Sequence, residues 1–570
     1  MLFVVLSLGL GGIFLRLTAL QVRDASAYQN LAFEQRVRTI PLPARRGAIL
    51  DRNRQELALS LEARDVYADP TLIKHPYAAA HRVAQLIDVP ERELVHDFRE
   101  KTRFVYLARQ IDMDAANRVE ALGLPGIGLL ESTRRYYPNG STASQVVGFV
   151  GVDQDPETGA PVSHGLDGLE LQYDKQLAGS PGERVVEIDP SGHLIPQGVN
   201  RDQPPVEGDN LVTTIDTDIQ YQAQNALLEA VYKNHAVGGS VIVMDPHTGD
   251  VLAMASYPWF DPNNFQDYSE DSWRNRSITD VYELGSVNKV ITASAAIEEH
   301  LVPLDEQFYV PDSFKVSVKV FHDAERHKPK MMTIGDIIAR SSNVGTIRIA
   351  ARLGMDRMAE YLAKFGLGQP TGIGFPGEVE GILPPEANWY GTSMGTIPVG
   401  QGVAVTPIQM ISVYNTIANG GVWVRPRLVR GLIEPDGTYL PKPVDPGRRV
   451  VSDRTAKTIT RILAYAVDAG TGHRAQIPGY WVAGKTGTAQ KPSPSGGYLP
   501  HKYVASFIGF LPASNPKVVI AAILDEPTTE FGGVAAAPLF KNVGRYAIAR
   551  LRIPPARQPE QPPHSLPFQY

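Results

Sequence analysis

The chain has 570 residues, 43% hydrophobic and 20% charged, with 55 basic and 61 acidic side chains and a net charge of −6. That is an ordinary globular composition, long enough for more than one domain, and no basic stripe points to nucleic acid as a partner. The absence of cysteine excludes disulfides, thiol catalysis and thiolate metal sites, and it fits an exported bacterial protein.

The first 15 residues, MLFVVLSLGLGGIFL, carry no charged side chain, and the apolar run continues past Arg16 to Val22. A membrane span needs about 20 apolar residues, with Arg16 snorkelling toward an interface. Residues 1–22 are therefore expected to be a retained anchor, since the ASA at 25–27 lacks the basic leader of a cleaved signal peptide. Arg16 and Arg23 follow the run, and by the positive-inside rule they would hold the body of the chain in the cytoplasm. A short basic cytoplasmic segment ahead of Met1 is the expectation that reconciles them with export.

Residues 23–60 read as basic and extended and contain ARRGAILDRNRQELALS. Residues 61–205 mix short strands with helices such as PYAAAHRVAQLID and MDAANRVEAL. GLDGLELQYDKQLAGSPGE, 165–183, reads as one capped helix, with Leu166, Leu169, Tyr173 and Leu177 at helical spacing. DQPPVEGDN marks a boundary near 202–210. The second half opens with a helix, DIQYQAQNALLEAVYKN, followed by a hairpin, SVIVMD and DVLAMAS around PHTG.

YELGSVNKVITASAAIEEH, 282–300, comes next. Gly285 allows a sharp turn, Ser286 is read as an N-cap, and a helix buried on much of its surface follows from Val290. Positions i and i+3 share a helix face, so the Ser286 hydroxyl and the Lys289 amine can meet. Burial favours the neutral amine, which makes a general base beside a nucleophile. The plainer alternative is a capping serine and a surface lysine. FHDAERH, with His322 and His327, has the wrong spacing for a metal site on one helix face and reads as a solvated loop. Ser341-Ser342-Asn343 falls between two apolar helical stretches, either as a polar helix cap or as a proton relay with a peptide-binding amide. VAGKTGTAQ reads as an exposed strand in which Gly487 marks close approach of another backbone. Lys485, Thr486 and Thr488 could bind a carboxylate there. GYWVAGKT also matches the phosphate-loop pattern, but its loop residues are bulky strand formers and no helix follows to hold phosphate. KYVASFIGFLP and KVVIAAILDEP read as central strands. The SNPK between them, 514–517, is a second SxxK without a helix to set its geometry. A final helix, APLFKNVGRYAIARLRI, precedes a tail, 554–570, with six prolines that is expected to be disordered.

SxxK, then SxN, then KTG, in this order, is the set of the serine acyl-transferases that penicillin acylates. With RRGAILDRNRQELALS, RFVYLARQ, LPGIGLLESTRRYYPNGSTASQVVGFV, GLDGLELQYDKQLAGSPGE, VLAMASYPWFDPNN and VAVTPIQM, the chain resembles the class B penicillin-binding proteins over nearly its whole length. It most resembles the division type, which makes septal cell wall. The resemblance implies an α+β protein with a membrane anchor (1–22), an elongated pedestal of the dimerisation type (23–205), a transpeptidase domain with an antiparallel sheet flanked by helices (206–553) and the tail (554–570). It implies that Ser286 attacks the D-Ala-D-Ala carbonyl of a peptidoglycan stem peptide and that Lys289 takes its proton. Ser341 and Lys485 would pass protons to the leaving amine, and Asn343 would bind the donor peptide. Thr486 and Thr488, flanking Gly487, would hold the terminal carboxylate. The N–H groups of Ser286 and Thr488 would form the oxyanion hole.

No metal or cofactor is implied. β-Lactams are the expected inhibitors, and the expected partners are a SEDS-type membrane glycosyltransferase and other division proteins. The expected location is the cytoplasmic membrane, single-pass, with the catalytic domain outside. Elongation-type and sporulation-type relatives, a carboxypeptidase or β-lactamase-like hydrolase, and a non-catalytic scaffold are the other readings. Leu284 stands where the family has proline, Val287-Asn288 also departs from it, and Arg54 replaces the glycine of DRNG.

Overall fold

The computed structural model describes residues 1–23, 36–154, 161–187, 195, 198 and 200–555. The ASA stretch and all but the first two residues of the proline-rich tail lie outside them. The chain is α+β. It opens with helix α1 (Leu2–Thr18), and Phe3–Gln21 is a 19-residue stretch of mean hydropathy 2.0, unburied and long enough to cross a membrane.

In the first half, Glu56–Ala68 pairs antiparallel with both Val105–Ile111 and Ile127–Tyr136. The helices Pro76–Ile87 and Met113–Ala121 pack Ala80, Val83 and Val119 against Val66 and Leu107. The stretch expected as one helix at 165–183 is broken at Tyr173 into Gly168–Gln172, capped by Asp167, and Asp174–Ala178. The break lets the buried Glu170 carboxylate meet Arg46 Nε and Arg135 Nε, each at 2.7 Å, while Asp174 takes the far side of the Arg46 guanidinium. Three stretches distant in sequence are thereby tied by one buried charge network. Arg54 has φ 65°, the left-handed conformation that glycine adopts without strain.

The halves share a sheet. Asn210–Thr213 runs parallel to Ile49–Leu50 and antiparallel to Val429–Ile433. Beyond it, helix α2 (Thr217–Asn234) leads into strands β1 (Gly238–Met244) and β2 (Val251–Tyr257), the expected hairpin. Helices α3 (Lys289–Glu298), α4 (Ile334–Ala339), α5 (Asn343–Leu353) and α6 (Pro407–Ala418) form the middle. Strands β3 (Ala483–Pro492), β4 (Tyr498–Leu511) and β5 (Val518–Asp525) and helix α7 (Gly532–Arg550) close the chain.

The five strands form one antiparallel sheet in the order β2-β1-β5-β4-β3. Alternate residues of a strand face opposite sides. Val241, Val243 and Phe507 pack with α2 and α7, whereas Ile242, Met244 and Ile508 join the core of α3, α5 and α6. Helices cover both faces, so β1 is buried at every residue and reads as an unbroken apolar run rather than an alternating one. β3, at the sheet edge, borders the helical middle.

Candidate active site

Ser286 is not a helix cap. It lies inside a tight turn, Gly285–Asn288, and α3 begins only at Lys289. Gly285 makes the turn possible. It has φ 54°, and a Cβ there would stand 2.4 Å from the Thr488 carbonyl oxygen. Its N–H donates to the Gly400 carbonyl at 3.0 Å. The Gly285–Asn288 turn is thus wedged between the KTG strand β3 and the Gly400 loop, leaving the Ser286 side chain half-buried.

Lys289, on the first turn of α3, is fully buried. Its amine donates to the Ser341 carbonyl at 2.6 Å, to Asn343 Oδ1 at 2.7 Å and to Ser341 Oγ at 3.3 Å. Burial pushes its pKa from 10.5 down to about 7, against a smaller upward pull from Asp323. Ser341 sits at φ 59° in the corner between α4 and α5, and Ser342 caps α5 by accepting from Gly345 N–H. The polar-cap reading and the relay reading therefore fall on neighbouring residues of one corner.

Lys485 is likewise fully buried on β3. Burial, and then the charge of Lys289, hold it well below the ordinary lysine value. The KTG strand is an edge strand but not an exposed one. The Gly285–Asn288 turn covers it: a Cβ on Gly487 would meet the Ser506 hydroxyl at 2.3 Å, Val287 at 3.0 Å and the Leu284 carbonyl at 3.3 Å, so β4 and the turn both crowd this glycine. On the opposite face of β3, Thr486 Oγ1 pairs with Thr471 Oγ1 at 2.9 Å, and Thr488 Oγ1 accepts from Gly532 N–H at 3.2 Å. Lys289, Ser341, Asn343 and Lys485 thus come together, two buried lysines of depressed basicity among them, while the Thr486 and Thr488 hydroxyls are turned to Thr471 and Gly532.

Residues 239–544, more than half of the chain, match the penicillin binding protein transpeptidase domain, and residues 41–213 match the penicillin-binding protein dimerisation domain. The chain belongs to the penicillin-binding proteins. It is 36% identical to penicillin-binding protein PbpB of Mycolicibacterium smegmatis, over 96% of this chain and 89% of that one. It is 33% identical to peptidoglycan D,D-transpeptidase FtsI of Escherichia coli K12, over 90% of this chain and 84% of that one. Penicillin binding protein 3 of Mycobacterium tuberculosis, solved in complex with ampicillin, superposes with a TM-score of 0.72 at 33% identity, covering 92% of this chain and 99% of that chain.

In this penicillin-binding protein the second SxxK is set apart. Ser514 and Lys517 are exposed in the turn between β4 and β5. The loop read as solvated is a correction. His322 and residues 324–326 are exposed, but the Asp323 side chain, 8% exposed, bonds to Ser342 and Val344, and His327, 12% exposed, pairs with Asp323. Thr471 and Glu283 are further residues of the site. Glu283 accepts from Gly402 N–H at 2.9 Å and from the Tyr498 hydroxyl at 3.0 Å, which ties the approach to Ser286 to the start of β4. Of these, only Glu283 had a sequence signal, its place three residues before Ser286.

Proposed function

We propose that this penicillin-binding protein is a peptidoglycan D,D-transpeptidase that cross-links stem peptides during septal cell-wall synthesis. The observation that carries the reading is Lys289: a fully buried amine that donates to Ser341 and Asn343, its pKa lowered by burial to about 7, one turn from a half-buried serine. Ser286 Oγ attacks the carbonyl carbon of the penultimate D-Ala, and its proton passes to Lys289. The oxyanion is held by the backbone N–H groups of Ser286 and Thr488, a device worth about 10²–10³ in rate per donor. The C–N bond to the terminal D-Ala then breaks, and Ser341 and Lys485 relay a proton to the leaving amine. Asn343 holds the donor peptide, and Thr486 and Thr488 beside Gly487 hold its terminal carboxylate. The amine of a neighbouring stem attacks the ester, forms the cross-link and frees Ser286.

The nearby carboxylates favour transfer over hydrolysis. Glu283 is engaged by Gly402 and Tyr498, and Asp336 closes the capping box of α4 by accepting from the Thr333 backbone N–H at 3.1 Å and takes the Thr333 hydroxyl at 2.7 Å. Neither is free to aim a water at the ester. The septal assignment rests on the likeness to FtsI. With it come a SEDS-type glycosyltransferase and other division proteins as partners, and residues 1–22 as an anchor that leaves the pedestal (23–205) and transpeptidase domain (206–553) outside the cytoplasmic membrane. Labelling with fluorescent penicillin and peptide mapping test the chemistry. One long-lived adduct on Ser286, lost in Ser286→Ala, is expected. An adduct on Ser514 or undiminished labelling of the variant refutes the nucleophile, and release of the adduct within seconds refutes the transferase.

A further inference from the structure

The loop between strands Lys319–His322 and Lys330–Met332 grips the SxN corner at several points. Asp323 Oδ1 accepts from Val344 N–H at 2.9 Å, and Oδ2 accepts from the Ser342 hydroxyl at 2.8 Å. Val344 is the second residue of α5, so the carboxylate also lies at the positive end of that helix. One residue earlier, the His322 carbonyl accepts from Asn343 Nδ2 at 2.9 Å. This fixes the amide so that its oxygen faces the Lys289 amine. Asp323 is held in turn by His327, whose Nε2 stands 2.9 Å from Oδ2. The other ring nitrogen, Nδ1, stands 2.8 Å from the Lys328 carbonyl. Both nitrogens face acceptors, and only an imidazolium can donate to both.

We propose that Asp323 is a positioning residue for acylation of Ser286, acting through Asn343 and Lys289, and that His327 is its proton-dependent brace. The proposal rests on the transpeptidase reading. The charged and titratable groups around His327 are Asp323, Lys330 on the following strand, and Asp312, which accepts the His327 backbone N–H and pairs with Arg326. Arg326 also reaches His322. From the α5 side the contacts on Asp323 are the neutral Ser342 hydroxyl and Val344 N–H, and from α3 the charge felt is that of Lys289. Donation to the Lys328 carbonyl raises the pKa of His327, burial opposes it, and the bond and attraction to the Asp323 carboxylate add to the rise. As pH rises through that value the imidazole loses a proton, one acceptor is left facing a lone pair, and the grip on Asp323 loosens.

The test is the pH dependence of acylation by fluorescent penicillin, with the full-length chain in detergent. The rate of ester formation is separated from affinity in the preceding complex. Asp323→Asn is expected to slow ester formation about tenfold or more, as for loss of a charge-assisted hydrogen bond, with affinity little changed. The wild-type rate should fall on the alkaline side. His327→Gln should lack that fall and lie at the lower level throughout. The double variant should be no slower than Asp323→Asn alone, since His327 acts through Asp323. Wild-type rates in either variant, an effect on affinity alone, full additivity, or an unchanged pH profile in His327→Gln overturns the proposal. Should Asp323→Asn not fold, His327→Gln and its profile decide alone. Loss of wild-type Ser286 labelling would refute the transpeptidase reading instead, so the two failures are distinct.

Discussion

Replacing Lys289 with methionine should make the protein inactive and, at low pH, more stable. The amine is fully buried and its pKa falls from 10.5 to about 7. Between those values the unfolded chain binds more protons than the folded one, so this group's contribution to stability rises with pH across the window from about 7 to 10.5 and is flat below it. Below pH 7 the buried ammonium therefore costs about 4–5 kcal/mol, at about 1.4 kcal/mol per pKa unit. Methionine removes that cost and also the hydrogen bonds to Ser341 and Asn343, which together contribute about 2–3 kcal/mol. Ser341 and Asn343 are half-buried, so water can replace the amine. Lys289→Met should be more stable than wild type by about 1–3 kcal/mol at pH 6 and less stable by about 1–2 kcal/mol at pH 10, where the wild-type lysine is neutral in the fold and the lost hydrogen bonds dominate. Thermal midpoints of the detergent-solubilised chain at pH 6, 8 and 10 measure the difference, and penicillin labelling measures the loss of activity. A variant less stable than wild type at pH 6, or a difference that does not change with pH, would refute the reasoning. Wild-type acylation should fall about tenfold per pH unit on the acid side of pH 7, as the neutral amine becomes scarce.

Gly285→Ala places a Cβ 2.4 Å from the Thr488 carbonyl at φ 54°, so the nucleophile turn and β3 must separate. Acylation should drop about 100-fold, as expected for a misplacement near 1 Å, and an unchanged rate would show that the wedge is not needed. Glu170→Gln leaves the buried guanidiniums of Arg46 and Arg135 without their shared carboxylate and should cost about 3–5 kcal/mol. Limited proteolysis should cut the first half earlier in the variant while folded molecules still label at Ser286; wild-type resistance would contradict the assignment.

Local signals in the sequence determined the elements and the order of the motifs. Apolar runs mark Val241–Met244 of β1, residues 507–511 of β4 and Val518–Leu524 of β5, because helices cover both faces of the sheet there. Ser286 and Lys289 lie three residues apart, so one turn suffices to bring them near each other, and a glycine inside a strand announces the approach of another backbone at Gly487. What needed long-range packing could not be read. The start of α3 at Lys289 depends on Gly285 being clamped between Gly400 and Thr488, residues more than 100 positions away. The sheet joining 49–50, 211–212 and 429–433 is a pairing that no local pattern records. The polar stretch FHDAERH looks like any solvated loop until α5 brings Val344 N–H and Ser342 to Asp323. Spacing along the chain can nominate the groups that react. Only the folded core decides which amine loses its water, and therefore its proton, near neutral pH.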